Sequence, residues 1–494
     1  MELQYLLNGL TIENKLKNQI ATTPVEGIAD SSLEVKRNHV FIAIEGFQID
    51  GHSYINDAIK KGACIIIGER NLTDLAVPYI KVSNSRKALG IIANNFYGNP
   101  SKQKLTIGIT GTNGKTTTSY LLKHILEKNG QSCSLFGSIH NIINGEVSEC
   151  VNTTPSSLVL QKLLSTSNDD IVIMEVSSHG LKQFRLEGIE FDYCLFTNLD
   201  QDHLDYHTSM EKYFQAKLLL FDKLKENGKA IVNVDDLWGR KLNSTLQNRG
   251  IKPFTMGQFK DCNLEIIDFN YKNSTIKFEK NNQSCYLYSP MFGIHNMYNT
   301  LMAYSVASLL NLKKDLICSS TYDFSGVEGR FEILKLDNGA TIVIDYAHTA
   351  DAYSQCLSTA KYCGAKRLIH VFGFRGNRDS GKRQAMLSVT AEMSDQYILT
   401  LDNLNTVPKN EMLRTMENIN NTFGNKKGTI IGDRTIAIKR AMEQSVQGDW
   451  IIITGKGHEE YQQNYCYPTK TDKETVIFLN NQQKYNQTSS QCLT

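Results

Sequence analysis

The sequence predicts an α/β fold in several domains, and three observations lead to this. Continuous apolar runs such as IVIMEV and WIIITG have the length of buried strands, and they alternate with segments whose apolar residues recur at helical spacing. This alternation indicates mainly parallel sheets covered on both faces. The chain has 494 residues, enough for roughly three domains. The lengths and spacing of the strand-like and helical segments also change twice along the chain, near residues 98–104 and near residues 326–332.

The first hundred residues contain short strand-like runs (VFIAIEG, ACIIIGE and PYIKV) and one helical pattern from Ser85 to Tyr97. The next segment, YGNPSKQ, contains a glycine and a proline, which indicates a linker. Beyond Lys104, the runs LTIGIT, DIVIMEVSS, FDYCLFTNL and KAIVNVDD are longer buried strands, and further strands follow GVEGRFE. We therefore predict domains at residues 1–100, 101–330 and 331–494, with a doubly wound sheet in the last.

Composition excludes several classes of protein. The 53 Lys and Arg against 51 Asp and Glu give a net charge of +2, which supplies no general attraction for nucleic acid or anionic membrane. No apolar run approaches the roughly 18 residues of a membrane span, and the N-terminus lacks the basic region of a secretory signal. The 11 Cys are scattered without a C-x-x-C pair, which argues against a disulfide framework and a zinc site. We expect a cytoplasmic protein.

A glycine-rich turn follows the strand LTIGIT and opens a helix. Glycines let backbone N–H groups approach a polyphosphate, Lys115 neutralises its charge, and the Thr116 hydroxyl is placed to ligate Mg²⁺. The alternative is a glycine-rich turn with an incidental lysine. The strand–loop–helix context favours an ATP site whose loop consists of Gly111, Thr112, Asn113, Gly114, Lys115, Thr116 and Thr117.

Eight motifs in order along the chain resemble those of the Mur ligases, and within that family the MurE type, the UDP-N-acetylmuramoyl-tripeptide synthetases. The motifs are TGTNGKTT (Thr110 to Thr117), NTTP (Asn152 to Pro155), EVSSHGL (Glu175 to Leu181), DHLDYH (Asp202 to His207), Ala216-Lys217, DYAHT (Asp345 to Thr349), NRD with Lys382-Arg383 (from Asn377), and GKGHE (Gly455 to Glu459). The resemblance covers nearly the whole chain. It implies an N-terminal UDP-binding domain, a central ATPase domain and a C-terminal Rossmann-like domain.

The resemblance also implies an activity. Such enzymes use ATP and Mg²⁺ to add one free amino acid to a UDP-N-acetylmuramoyl dipeptide in peptidoglycan synthesis, through an acyl phosphate, and they act as monomers. Glu175 and His203 match the family's metal ligands. Taken alone, a loop histidine is more often structural, and Lys217 on its helix would be a snorkelling lysine. The resemblance implies instead that Lys217 is carbamylated and ligates a second Mg²⁺.

Other roles transfer by position. Ser31 resembles the uridine-side contact, and Asp345 resembles an acidic residue near the phosphates. Asn296 and Arg330 resemble nucleotide contacts. The alternatives are a helix cap for Asn296 and a surface ion pair for Arg330, and a surface ion pair is also the alternative for Arg185. The implied muramyl-dipeptide site consists of Asn152, Thr153, Thr154, Ser177, Gln183 and Arg185. The implied amino-acid site consists of Arg378, Asp402, Asn403, Asn405, Gly455 and Glu459.

The sequence departs from the family at three places. The N-terminal D-S-R motif of the family is Asp30-Ser31-Ser32 in this sequence, so its arginine is missing. In the family's DYAHTPD motif, Ala350 replaces the proline. The D-N-P-R loop ends in Asn405, although in diaminopimelate-adding members its arginine helps to hold the distal carboxylate. We therefore expect lysine, or another diamino acid, to be added. The alternative is that a neighbouring basic residue, Lys409 or Arg383, has taken over the charge.

Three functions stay open. The first is the cell-wall ligase, and the second is a paralogue that uses the same chemistry on another amino acid or carrier. The third is a catalytically silent nucleotide-binding protein, which the intact Lys115, Glu175, His203 and Lys217 make less attractive.

Overall fold

A computed structural model describes residues 1–14, 20–46 and 49–491 of the chain. Its contacts divide the chain into two compact units. The first consists of residues 1–110, 130–195 and 216–230, and the second of residues 111–129, 196–215 and 231–494. The predicted domain boundaries after residues 100 and 330 stay a prediction. Within the described ranges, no helix has the length and apolar character needed to cross a bilayer.

The first hundred residues form a parallel four-stranded sheet in the order β1-β2-β3-β4. Its strands are β1 (Gly27–Ala29), β2 (His39–Ile42), β3 (Ala63–Gly68) and β4 (Tyr79–Lys81), and the helices are α1 (Leu3–Leu6), α2 (Ile55–Lys60) and α3 (Ser85–Phe96). Val40, Ile65 and Leu89 are buried in one core, as the apolar runs and the helical pattern predicted.

Residues 105–322 contain both strands and helices. The strands are β5 (Leu105–Thr110), β6 (Cys133–Phe136), β7 (His140–Ile143), β8 (Glu146–Glu149), β9 (Ile171–Glu175), β10 (Phe191–Phe196), β11 (Leu224–Asn233), β12 (Phe254–Gly257), β13 (Leu264–Asn270), β14 (Thr275–Lys280) and β15 (Gln283–Tyr288). The helices are α4 (Lys115–Lys128), α5 (Ser157–Thr166), α6 (Ser178–Lys182), α7 (Leu204–His207), α8 (Met210–Leu218), α9 (Leu237–Asn248), α10 (Ile294–Leu309) and α11 (Lys314–Tyr322).

In the first unit the strand order is β10-β5-β9-β6-β7-β8, with β5, β9 and β6 parallel. Every residue of β9 is buried, which matches its continuous apolar sequence. In the second unit β11, β12 and β13 are parallel, and β13, β14 and β15 form an antiparallel meander. Helix α10 packs against α4, which starts in the phosphate loop.

The last part of the chain contains a six-stranded sheet in the order β16-β17-β21-β18-β19-β20, in which only β16 is antiparallel. Its strands are β16 (Glu332–Lys335), β17 (Thr341–Asp345), β18 (Arg367–Phe374), β19 (Gln396–Leu401), β20 (Gly428–Ile430) and β21 (Asp449–Thr454). Its helices are α12 (Ala350–Tyr362), α13 (Lys382–Met393), α14 (Lys409–Phe423), α15 (Arg434–Glu443) and α16 (Asp472–Gln491).

Helices cover both faces of this sheet, so it has two apolar cores. Val343, Leu357 and Phe372 belong to one core, and Ile344 and Ile438 belong to the other. The predicted doubly wound sheet is thus confirmed. Parallel strands end at one edge of such a sheet, and ligands bind at that edge. β17, β18, β19 and β21 all lead there into predicted site residues.

Candidate active site

The phosphate loop requires glycine where α4 begins. Gly114 has φ +85°, in the left-handed region, and a Cβ at this position would lie 2.2 Å from Oδ1 of Asn299 on α10. Any larger residue would therefore strain the backbone and collide with a buried amide. This close approach brings the first turn of α4 against α10.

Two cationic side chains lie at this loop. Lys115 Nζ donates hydrogen bonds of 2.9 Å to the carbonyl oxygens of both Gly111 and Thr112. Arg330 Nη2 lies 3.3 Å from the Thr116 hydroxyl, to which it donates. A lysine, an arginine and the N-terminus of a 14-residue helix are thus gathered at one loop. This combination favours bound phosphate.

A segment after β10 holds the loop in shape. Asn198 Oδ1 accepts from the backbone N–H of Asn113 at 2.9 Å, and its Nδ2 donates to the Asn113 carbonyl at 3.2 Å. The Thr197 hydroxyl donates to the same carbonyl at 2.7 Å. Three hydrogen bonds thus fix Asn113 and leave the loop little freedom.

Asn296 and Asp345 are both buried and hydrogen-bonded. Asn296 Nδ2 donates to the Phe292 carbonyl at 2.8 Å, and its Oδ1 accepts from Asn299 Nδ2 at 3.2 Å. Asn296 therefore sits inside α10 and is not a helix cap. The carboxylate of Asp345 accepts from the backbone N–H groups of Phe331 and Ala347, each at 2.6 Å. It thereby fixes the backbone next to Arg330.

Within the first unit, a network surrounds Glu175 at the end of β9. Both of its oxygens accept from Ser138, Oε1 from the backbone at 3.1 Å and Oε2 from the hydroxyl at 2.8 Å. The Ser138 hydroxyl also lies 3.0 Å from that of Thr153. The Thr154 hydroxyl lies 3.1 Å from that of Ser177, which caps α6. The buried Glu175 is thus connected to predicted substrate residues.

Arg185 extends this network. Its Nη1 donates to the Thr154 carbonyl at 2.7 Å, and its Nη2 donates to Oε1 of Gln183 at 2.9 Å. Asn152 is exposed two residues before Thr154. Ser31 belongs to the loop after β1, where its hydroxyl accepts from the backbone N–H of Leu33. The structure therefore joins Thr153, Thr154, Ser177, Gln183 and Arg185 into one network, and Ser31 is not part of it.

The predicted metal ligands fall into both units. Thr116 and His203 belong to the second unit, and Glu175 and Lys217 to the first. His203 has φ +56°, and Lys217 is 2% exposed near the end of α8. Among residues 1–14, 20–46 and 49–491, no three side chains of His, Cys, Asp or Glu are grouped in a way that would hold a metal ion.

Asp202 connects two predicted motifs inside the second unit. Its Oδ1 lies 2.8 Å from Lys382 Nζ, and its Oδ2 lies 3.2 Å from His348 Nε2. Burial would raise the pKa of Asp202, but His348, His203 and Lys382 together hold it well below its usual value. DHLDYH, DYAHT and the lysine of the NRD motif therefore meet at one ionised carboxylate.

The residues that follow β19 and β21 meet at the edge of the C-terminal sheet. Asn403 Nδ2 donates to Glu459 Oε2 at 3.3 Å, and the Lys456 ammonium donates to Asn403 Oδ1. Gly455 has φ +109°, and a Cβ there would lie 2.6 Å from Oδ2 of Asp402. Burial raises the pKa of Asp402, but neighbouring cations, Arg375 first among them, bring it below its usual value.

A small pocket that is partly open to solvent lies beside these residues. It is lined by His348, Gly373, Phe374, Arg375, Arg378, Asp379, Lys382, Arg383, Met386 and Asp402. Its basic residues outnumber its acidic ones, which favours an anionic group such as the α-carboxylate of an amino acid.

Three family models match the chain in order. The Mur ligase family catalytic domain matches residues 24–97, the Mur ligase middle domain residues 109–307, and the Mur ligase glutamate ligase domain residues 329–457. A relative from Clostridium botulinum is 39% identical over 451 residues, which are 89% of this chain and 91% of the relative. The chain belongs to the Mur ligase family. The resemblance predicted from eight ordered motifs is confirmed.

That relative is named UDP-N-acetylmuramoyl-L-alanyl-D-glutamate–2,6-diaminopimelate ligase. A relative of the same name from Clostridium perfringens is 36% identical and covers 94% of this Mur ligase and 96% of its own length. A solved structure of a ligase of that name has 27% identity and a TM-score of 0.69, and covers 98% of this chain and 99% of its own. The MurF ligase of Thermotoga maritima, solved with ADP, has 19% identity, a TM-score of 0.63 and coverage of 87% and 94%, which shows the shared fold.

Sequence reasoning on this Mur ligase missed several residues that build the site. Asn198 and Asn299 shape the phosphate loop, and Tyr346, Arg375 and Lys456 surround Glu459 and Asp402. Each follows a buried strand or lies on a helix beside a recognised motif. Polar residues directly after a continuous apolar strand, as in FDYCLFTN and RLIHVFGFR, were the signal available in the sequence.

Proposed function

We propose that this Mur ligase uses ATP to join an amino acid to the terminal carboxylate of UDP-N-acetylmuramoyl-L-alanyl-D-glutamate. The observation that carries the proposal is the network around Glu175, because it connects this carboxylate to most of the residues predicted to bind the muramyl dipeptide. The names of the relatives support the same substrate. The catalytically silent alternative has no support from these intact residues.

The chemistry proceeds in two steps. A carboxylate oxygen of the dipeptide attacks the γ-phosphorus of ATP, which gives an acyl phosphate and ADP. The amine of the incoming amino acid then attacks the acyl carbon, and phosphate leaves from the tetrahedral intermediate as the amide forms and the amine proton is lost. Lys115 and Arg330 offset the negative charge of the phosphates, and Arg185 binds an anionic group of the dipeptide substrate.

Magnesium fits the donor atoms of the predicted ligands. The Thr116 hydroxyl and the Glu175 carboxylate are hard oxygen donors of the kind that Mg²⁺ prefers, and His203 would add a nitrogen ligand. When bound, Mg²⁺ supplies positive charge against the polyphosphate. Lys217 is almost completely buried, and burial favours the neutral amine that reacts with CO₂ to give a carbamate. Carbamylation would make Lys217 a further oxygen ligand.

The incoming amino acid is a diamino acid, and we favour 2,6-diaminopimelate. Arg378 binds its α-carboxylate, and Glu459 binds an amino group. Asn405 led to the expectation that lysine is added, because its side chain lacks the positive charge that would hold a second carboxylate. Arg375, however, brings a positive charge to the same pocket. The relatives named for 2,6-diaminopimelate support this choice.

The reaction also implies a location and a minimal set of partners. ATP and nucleotide-linked precursors are cytoplasmic metabolites, so the enzyme would act in the cytoplasm. Its partners are its small-molecule substrates, without nucleic acid or membrane insertion, and we expect a monomer.

Phosphate release by the purified protein tests the proposal. The assay contains ATP, Mg²⁺ and UDP-N-acetylmuramoyl-L-alanyl-D-glutamate, with meso-diaminopimelate, lysine, ornithine or alanine added in turn. We expect release that requires both the dipeptide and a diamino acid, with a product of the corresponding mass. Glu175→Gln is the matched inactive control. No release with any amino acid, or release independent of the dipeptide, would contradict the proposal.

A further inference from the structure

Arg375 is a cation held beside the amino-acid pocket by groups from other strands. It follows β18, and its Nη2 donates to the Gly455 carbonyl at 2.6 Å and to Glu459 Oε2 at 2.8 Å. Its Nη1 donates to the Tyr346 hydroxyl at 3.3 Å, and its guanidinium lies over the Tyr346 ring, 5.1 Å from the centroid. Four contacts thus fix the orientation of the guanidinium plane.

The same guanidinium has an unused donor that faces an unused acceptor. Arg375 Nε and Asp402 Oδ2 are both buried and lie 3.7 Å apart, too far for a hydrogen bond. In the part of the chain that the structure describes, neither atom has a hydrogen-bond partner. Buried polar atoms are nearly always satisfied, so a donor and an acceptor left open side by side at a pocket indicate groups meant for a ligand.

The unsatisfied donor of Arg375 and the unsatisfied acceptor of Asp402 would suit a ligand that carries a negative and a positive group close together. Arg375 Nε can only donate, and its positive charge favours an anion; Asp402, whose ionised form its neighbours favour, can only accept, and its negative charge favours a cation. Glu459 forms an ion pair with Arg375, and its carboxylate is a further acceptor for an ammonium group. The distal end of a diamino dicarboxylic acid carries one carboxylate and one ammonium on the same carbon.

We propose that Arg375 is the specificity-determining residue of this ligase: it binds the distal carboxylate of the incoming amino acid, while Asp402 and Glu459 bind the distal ammonium. This inference rests on the proposed ligase function and names the chemical class of its amino-acid substrate. Lysine carries the ammonium but no distal carboxylate. It would leave the Nε donor of Arg375 without a hydrogen-bond acceptor and bring a second cation beside the guanidinium.

The neighbouring residues are less suited to this role. Asn405 Nδ2 donates to the Gly376 carbonyl at 2.6 Å, so its amide ties the loop after β19 to the residue that follows Arg375. Arg383 Nη2 donates to the Arg375 carbonyl at 3.0 Å. Lys409 is exposed at the start of α14. Asn405 and Arg383 therefore support the backbone around Arg375, and among these three residues the guanidinium of Arg375 is the one that lies against Asp402 and Glu459.

The test compares kcat/KM for meso-diaminopimelate and for lysine in the full-length protein. We expect the wild type to prefer meso-diaminopimelate. In Arg375→Gln this preference should fall roughly 100-fold, mostly through a higher KM for meso-diaminopimelate, with the KM for lysine little changed. Arg375→Lys keeps the charge without the planar fork and should give an intermediate preference. Lys409→Gln is the matched control and should retain the wild-type preference.

The outcomes separate this inference from the proposed function. A wild type that ligates lysine better than meso-diaminopimelate would overturn the role of Arg375 and leave the ligase function standing. An unchanged preference in Arg375→Gln would do the same, and so would an equal loss for both amino acids in Arg375→Gln and Arg375→Lys, the result expected of a purely structural arginine. A wild type that ligates no amino acid would instead refute the proposed function.

Discussion

Arg434 and Asp472 form an ion pair in which neither side chain has exposed surface. Arg434 Nε and Nη2 each donate to an oxygen of Asp472 at 2.7 Å. Nη2 also donates to the carbonyl oxygen of Thr454, the last residue of β21, at 2.8 Å. The pair thus joins the first residues of α15 and α16 to the strand that leads into Gly455. It therefore anchors the end of β21, from which Gly455 and Lys456 follow.

Removing the charge of Asp472 should therefore destabilise the protein strongly. Asp472→Asn keeps the shape but leaves Arg434 buried without a counter-ion, which costs roughly 3–5 kcal/mol. Denaturant unfolding of both proteins at one pH measures the loss. The exposed pair of Lys439 and Glu443 on α15 is the control, and Glu443→Gln should change the free energy of unfolding by less than about 0.5 kcal/mol. Equal stability of Asp472→Asn and the wild type would refute this account.

The phosphate loop gives a second prediction. Lys115→Ala removes the ammonium that spans Gly111 and Thr112, so we expect ligation to be lost while the protein stays folded. Phosphate release and circular dichroism measure the two properties. Lys128→Ala, an exposed change in the last turn of the same helix, should keep normal activity. Retention by Lys115→Ala of more than about a tenth of the rate, a loss below roughly 1.4 kcal/mol of barrier, would remove this lysine from the mechanism.

Lys217 carries the third prediction. If the buried amine is carbamylated, Lys217→Ala should lose nearly all turnover, and an added small carboxylate should partly restore it by supplying the missing oxygen ligand. Phosphate release with and without acetate or formate measures the rescue. Lys212→Ala changes an exposed lysine of the same helix and should remain active without rescue. Full activity of Lys217→Ala would refute the role, and so would an unmodified mass for Lys217 in active protein.

Much of the fold could be predicted because its signals are local. The run IVIME is apolar throughout and becomes the fully buried β9, and LTIGIT followed by glycines becomes β5 and the phosphate loop. Glu175 and Thr154 each lie in a short motif, and Arg185 follows one of these motifs by four residues, so the sequence could single them out; their roles stay predictions. The network that links them is consistent with that reading.

Contacts between distant segments could not be predicted. Arg375 and Glu459 are 84 positions apart, and they meet only because β18 and β21 are neighbours in the sheet. The 3.7 Å gap between Arg375 and Asp402 depends on the same strand order. Nothing in a local pattern fixes such a distance. The sequence therefore pointed to Asn405 as the site of change, and the position of Arg375, the residue after β18, beside Glu459 and Asp402 became visible only in the structure.

His370 on β18 provides a test by pH. Its ring is buried, with Nδ1 3.0 Å from the Thr390 hydroxyl and Nε2 2.9 Å from the Thr454 hydroxyl. Burial, together with the charge of Arg434, lowers the pKa of His370 to about 3. The folded protein thus keeps this ring neutral, whereas the unfolded chain protonates it near pH 6.5. The resulting stability is complete above pH 6.5 and is lost as the pH falls from there toward 3.

His370→Gln should abolish this part of the pH dependence. Between pH 7.5 and 5.5, protonation of the unfolded chain at His370 lowers the free energy of unfolding of the wild type by about 1.4 kcal/mol, and the variant lacks that term. The glutamine amide can still hydrogen-bond the hydroxyl groups of Thr390 and Thr454, which limits the general loss of stability. Denaturant unfolding of both proteins at the two pH values gives the difference, in which all other titrating groups cancel. If the wild type and His370→Gln lose the same stability over this range, His370 is already protonated in the folded protein or exposed to water, and the buried neutral ring proposed for β18 is wrong.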